Sequence, residues 1–164
     1  MAVNRGKQFE QCLKEAFQKV PNTTVVRLHD QTTGFAGGKN PCDFIIYHRP
    51  IMYAIECKSV HGNILPFSNI TDYQWSELLK FSEVEGMLAG VICWWIDKDV
   101  TMFLPIQIIN DLRYNQGYKS YRFDWFHWNG LQETIKIKGQ KKRVFFEYDM
   151  EDFFNNCYSN FIFN

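Results

Sequence analysis

The stretch that decides the fold is Asp43-Phe44-Ile45-Ile46-Tyr47-His48-Arg49-Pro50-Ile51-Met52-Tyr53-Ala54-Ile55-Glu56-Cys57-Lys58. Two β-prone apolar runs, Asp43 to Tyr47 and Ile51 to Cys57, flank a short break that contains proline, and this pattern predicts an antiparallel hairpin. A tight turn at Arg49 pairs residues whose numbers sum to about 98 or 99, and either register sets Asp43 beside Glu56. Directly opposed side chains on one face have Cβ atoms roughly 4.5 to 5.5 Å apart, where two like charges are destabilising unless something positive lies between them. Lys58 follows Glu56 by two residues, so strand alternation points both side chains to one face.

Two carboxylates and an ammonium thus converge at the end of the hairpin. A structural ion pair at a strand end would look the same. The run Ile51 to Ile55 would bury better without Glu56, however, and this favours chemistry over packing. Hard oxygen ligands with few protein contacts suit Mg²⁺, with Mn²⁺ expected to substitute, because Mg²⁺ keeps several waters and binds through one or two carboxylates plus substrate phosphates. The expected reaction is phosphoryl transfer. Asp43 and Glu56 would hold the ion, which polarises a phosphate and acidifies a water, while Lys58 would orient that water or stabilise charge developing on phosphorus.

Outward from the hairpin, Phe9, Cys12, Leu13, Ala16 and Phe17 form one apolar stripe of a helix that Asn4 can cap and that ends before Pro21. Thr24 to Leu28 reads as a strand, and the glycine-rich stretch Asp30 to Asn40 as a loop. Beyond the hairpin, Thr71-Asp72-Tyr73-Gln74 has capping-box spacing and opens a helix with Trp75, Leu78, Leu79 and Ser82 on one face, closing near Gly86. A second hairpin is expected from Leu88 to Trp95 and Thr101 to Pro105, followed by a short helix over Ile106 to Arg113. An aromatic stretch contains Tyr121, Trp125, Phe126 and Trp128, better suited to core packing than to base stacking. A third hairpin is expected from Thr134 to Lys138 and Arg143 to Tyr148, turning at Gly139-Gln140-Lys141. A final helix would bury Met150, Phe153, Phe154 and Cys157. There are no internal repeats, and the chain reads as one α+β domain over residues 1–164.

Composition bounds the function. At 164 residues, 46% of them hydrophobic and 17% aromatic, the chain suffices for one core. No apolar run is long enough to span a bilayer and no secretory signal opens the sequence, so a cytosolic protein without a membrane partner is expected. The five cysteines are scattered singly, which suggests neither a disulfide framework nor a zinc knuckle. The four histidines lack metal-ligand spacing. Cys57, pointing away from Glu56 and Lys58, reads as a core thiol. Eighteen basic and eighteen acidic residues balance, so any nucleic-acid surface must be local. The candidates are Arg5 and Lys7, and the cluster of Lys136, Lys138, Lys141, Lys142 and Arg143, which would serve equally as solvated edge lysines.

Asp43 with Glu56-Cys57-Lys58, in the order helix, three strands, helix, strand, resembles the PD-(D/E)xK nuclease superfamily and its restriction-endonuclease-like core. The sequence is more closely similar to the RecU-type Holliday-junction resolvases of Gram-positive bacteria and their phages. Asn4-Arg5-Gly6 followed by Glu10 resembles that family's opening signature, and Leu65-Pro66-Phe67 to Gln74 resembles the segment leading into its glutamine-bearing helix. The resemblance spans about Asn4 to Pro105. It implies that Asp43 and Glu56 bind Mg²⁺, that Lys58 stabilises the transition state, that Gln74 and the Cys57 carbonyl complete the metal site, and that Glu10 is an accessory acid. Gln74 serves equally well as the capping-box partner of Thr71, and Glu10 as a solvated position beside the apolar stripe.

Two departures from the family stand out. Pro41 occupies the place of a threonine ligand and has no side-chain oxygen, and the interval from Leu28 to Pro41 is too short for the family's stalk. The resemblance implies a homodimeric endonuclease acting on four-way junctions or related branched DNA in recombination or repair. The alternatives are a simpler nuclease of the same fold acting on duplex, flap or single-stranded DNA, and a non-catalytic DNA-binding protein.

Overall fold

The computed structural model describes residues 4–28, 39–127 and 134–161, with the backbone alone for Phe126 and His127. Helix α1 spans Arg5–Gln18, and its N-cap is Asn4, whose side chain accepts from the Lys7 amide at 3.3 Å. Strands β1 (Thr23–Arg27), β2 (Phe44–His48) and β3 (Ile51–Val60) follow. Each pairs antiparallel with the next. The loop expected over Asp30 to Asn40 lies outside the described residues apart from Lys39 and Asn40, as do His29 and Trp128.

Short strand β4 (Ile64–Pro66) leads to helix α2, Asp72–Ser82. Gly86, at φ 79°, reverses the chain after this helix into β5 (Met87–Trp95). The crossover lays β5 parallel to β3, with Glu56 opposite Val91. Strand β6 (Val100–Pro105) returns antiparallel along β5. Helix α3 (Ile106–Asn110) runs on into a π-helical turn, Asp111–Asn115, so the helix expected as far as Arg113 changes its winding before that residue.

Beyond this point the expectation needs correction. The segment Thr134 to Lys138 is not half of a hairpin, because β8 (Ile135–Ile137) joins the main sheet against β6. The supposed turn Gly139-Gln140-Lys141 is itself strand β9, paired with β10 (Phe146–Tyr148), and the reversal falls between them. Its three residues are all exposed, so no apolar alternation announced a strand. Strand β7 (Ser120–Arg122), which pairs with β4, was also not anticipated. The terminal helix α4, Met150–Phe161, buries Met150, Phe153, Phe154 and Cys157 as expected.

The main sheet has the order β1-β2-β3-β5-β6-β8. Its two faces carry separate cores. On one, Phe9, Leu13 and Phe17 of α1 and Phe153 and Phe154 of α4 cover Phe44, Tyr53 and Phe103. On the other, Trp75 and Leu78 of α2 and Ile109 of α3 cover Ala54, Val91 and Trp95. Strand β5 is buried from Leu88 to Trp95, as a central strand covered on both faces must be. This is an α+β sandwich whose elements follow the expected order of helix, three antiparallel strands, helix and parallel strand. Tyr121 and Trp125 sit in the second core, in keeping with packing for the aromatic stretch. Among the described residues no helix is long and apolar enough to cross a membrane.

Candidate active site

The β2–β3 ladder runs from His48 opposite Ile51 to Phe44 opposite Ile55, so paired numbers sum to 99, one of the two registers expected. Asp43 follows directly where β2 begins, level with Glu56. Its backbone is held from both sides: its amide donates to the Ile55 carbonyl at 3.0 Å and its carbonyl accepts from the Leu28 amide at 2.8 Å. The side chain bends onto β3, where Oδ2 accepts from the Cys57 amide at 2.7 Å. The carboxylate thereby supplies an acceptor to β3 where the β2 ladder has run out.

Glu56 is 2% exposed, the one charged residue in the buried run Tyr53 to Cys57 of β3. Oε1 accepts from Lys58 Nζ at 2.6 Å, as strand alternation requires. Oε2 is buried and makes no hydrogen bond of normal geometry among the described residues, although the Gln74 side chain comes near enough to favour the charged form of Glu56. A buried carboxylate oxygen without a partner is costly unless a water or an ion meets it. The Lys58 side chain is about one-fifth exposed and connects this buried acid to solvent.

Burial is the largest influence on both acids. It pushes Asp43 up to about 6, against the opposing pull of the Cys57 amide, with Glu10 adding to the rise and Lys58 and Arg27 opposing it. It pushes Glu56 up to about 7, reinforced by the charge of Asp43 and opposed by Lys58 and by the Gln74 side chain. Both carboxyls thus titrate closer to neutrality than free acids do, chiefly because burial disfavours their charged forms. The thiols of Cys42, raised to about 12, and Cys57, raised well above its ordinary value, are buried and unsuited to nucleophilic attack.

Gln74 caps α2. Its Oε1 accepts from the Thr71 amide at 3.1 Å while the Thr71 hydroxyl accepts from the Gln74 amide at 3.2 Å, a complete capping box. The same side chain reaches the surroundings of Glu56 closely enough to lower its pKa. The capping box is therefore formed, and because an amide has two ends it does not by itself exclude a role for the other end.

Glu10 is not simply solvated. It is about one-fifth exposed and paired with Arg27 of β1, which places an acid and a base from α1 and β1 within electrostatic reach of Asp43. Arg27 had not been singled out. The signal was an arginine closing an apolar strand, the same kind of interruption that made Glu56 conspicuous.

The remaining basic candidates are exposed at the surface. Arg5 and Lys7 are exposed on the first turn of α1. Lys138 pairs with Asp152 on α4 at 2.6 Å, Lys141 with Asp99 in the β5–β6 turn, and Lys142 with Glu147 on β10 at 3.1 Å. Arg143 is exposed between β9 and β10. These residues cluster around β8 to β10, across the sheet from the hairpin. His61 accompanies the strand carrying Lys58, its Nδ1 2.8 Å from Asp97 Oδ1.

The donor set fits a hard divalent cation. Among the described residues no group of three or more His, Cys, Asp or Glu side chains is placed to hold a metal, so a closed zinc-type cage is not what the residues build. Two carboxylates with one unsatisfied oxygen, flanked by an amide, match a cation that completes its shell with water and phosphate oxygens.

No protein-family model and no curated protein matches the sequence. Among solved structures, the chain is similar to Hjc, a Holliday junction resolvase from Archaeoglobus fulgidus, at 22% identity over 63% of this chain and 78% of that chain, with a TM-score of 0.47.

Proposed function

We propose that this protein is a divalent-metal-dependent endonuclease that hydrolyses DNA phosphodiester bonds, with four-way junctions or related branched DNA as its substrate. The observation that carries the reading is the buried Glu56, bonded to Lys58 on one oxygen and unsatisfied on the other, beside Asp43. Asp43 and Glu56 would hold Mg²⁺, or Mn²⁺ in its place, with Gln74 and the Cys57 carbonyl as further ligands. When bound, such an ion neutralises phosphate charge and acidifies water.

The protein's own groups have distinct tasks. The Cys57 amide orients the Asp43 carboxylate and leaves its other oxygen for a ligand. Burial of Glu56 keeps competing water away, which strengthens every charge interaction in the site. Lys58 carries the ammonium that can donate to a phosphate oxygen as negative charge builds there. The Glu10–Arg27 pair would meet the backbone next to the scissile bond. Arg5, Lys7, Lys138, Lys141, Lys142 and Arg143 would contact phosphates further away, exchanging their present partners or counterions for DNA.

Homodimerisation would supply the second site needed for paired nicks. In its favour, Val26, Tyr47 and Met52 stand 38% to 48% exposed on one face of β1, β2 and β3, a patch apolar enough to pack against a second copy.

The test is cleavage of a labelled four-way junction, a flap and a linear duplex, with and without Mg²⁺, by wild type and Asp43→Asn. Metal-dependent cutting that favours the junction and vanishes in the variant is expected. Equal cutting of all three substrates would leave a general nuclease. Binding without cutting under any metal would leave a non-catalytic DNA-binding protein.

A further inference from the structure

The segment after α3 carries a surface feature that the catalytic reading does not use. The π-helical turn Asp111–Asn115 widens the backbone so that two consecutive side chains, Arg113 and Tyr114, both engage Trp75 of α2. Such turns are rare and concentrate at functional sites. The Arg113 guanidinium lies 4.5 Å from the centre of the Trp75 ring and 5.1 Å from that of Tyr114. Tyr114 meets Trp75 edge-on, with centroids 6.2 Å apart. Trp75 is itself fixed, 2% exposed and donating from its indole to Asn110 Oδ1 at 2.9 Å. Tyr114 nevertheless leaves 62% of its surface in solvent, the most exposed of the large apolar and aromatic side chains described. Arg113 lies 3.6 Å from Asp72, which ties the platform to the first turn of α2, the turn that also carries Gln74.

We propose that Tyr114, backed by Arg113 and Trp75, is a stacking site for an unpaired nucleobase of the DNA next to the scissile bond. The inference rests on the nuclease reading and adds to it a source of preference for DNA that is not fully paired. An aromatic ring already held by its neighbours loses little freedom on stacking, and stacking is tolerant of base identity because every base has a π-face. The electrostatics select a base rather than a phosphate. Arg113 is 3.6 Å from the fully exposed Asp72, and Asp111, kept ionised by hydrogen bonds from Asn115 and Gln116, stands on the same turn. Two carboxylates would repel a phosphate but not a neutral base.

The test is equilibrium binding in chelator, so that no cutting occurs, of a duplex with a single-stranded flap and of a blunt duplex of equal length. Tyr114→Ala should weaken flap binding about tenfold and blunt-duplex binding less than twofold, whereas Tyr114→Phe should behave as wild type. A 5-bromouracil at the first unpaired position of the flap should photo-crosslink the wild-type protein within residues 111–118, which keeps the test independent of how the alanine variant folds. Equal weakening of both DNAs, no weakening, or a crosslink mapping elsewhere would overturn the proposal. If any of these occurred while the wild type still cut DNA, the nuclease reading would stand alone. A wild type that neither binds nor cuts either DNA would remove both.

Discussion

The Cys57 amide donates to Asp43 Oδ2 at 2.7 Å across the mouth of the β2–β3 hairpin. This bond ties the first acid to the strand that carries the second acid and the lysine. Converting the acid to an amide should spare the fold and remove the charge. Asp43→Asn is expected to lower cleavage by at least about 100-fold while DNA affinity changes by less than about threefold. Full activity in that variant would dismiss the hairpin as the site.

The raised acids make stability depend on pH. With Asp43 at about 6 and Glu56 at about 7, both above their values in an unfolded chain, the folded state binds more protons than the unfolded state between about pH 4 and pH 7. The stability these groups contribute is greatest below that window and is lost as pH rises through it. In chelator, Tm should be higher near pH 5 than near pH 8. Because a cation binds the ionised pair, Mg²⁺ should raise Tm near pH 8 and have little effect near pH 5. Melting curves with the same metal response at both pH values would contradict this.

Lys58→Met removes the positive partner of Glu56. The Glu56 carboxyl should then rise further, shifting the acid limb of the pH–rate profile upward, and the rate at its optimum should fall by roughly 10² to 10³. An unshifted profile with a reduced rate would mean that Lys58 acts on the substrate alone and does not set the protonation of Glu56.

The cap that Gln74 makes can be separated from the metal-site role proposed for it. Thr71→Ala breaks the cap and should cost about 1 kcal/mol of stability with little effect on the metal concentration needed for activity. Gln74→Ala should cost a similar amount and also raise that concentration, by about 10-fold to 100-fold. Chemical denaturation and metal titration of both variants give the comparison. Identical metal dependence in the two would confine Gln74 to the cap.

Much of the site was legible because it is local. The hairpin register followed from two apolar runs and a short turn, and it put Asp43 level with Glu56 before any tertiary contact was considered. The Asn4 cap, the capping box at Thr71 and the apolar face of α4 are likewise properties of neighbouring residues. The misreading at Gly139-Gln140-Lys141 has the opposite cause. A short, fully exposed strand has no buried face to impose a period of two, and polar residues with a glycine look like a turn.

The sequence by itself determined which residues carry charge at the hairpin mouth and which faces of the helices are apolar, because both depend on spacing along one element. Only the tertiary structure decided that Glu56 would be dry. Its burial needs β5 laid parallel on one side and α2 packed above, contacts between segments that no local period encodes. The same holds for Arg27, brought to Glu10 from a different element, and for Gln74, which reaches Glu56 because α2 crosses the sheet there. Desolvation is a property of the assembled layers. It is what turns an acid, an acid and a lysine from a surface ion pair into a site with an unmet demand for positive charge.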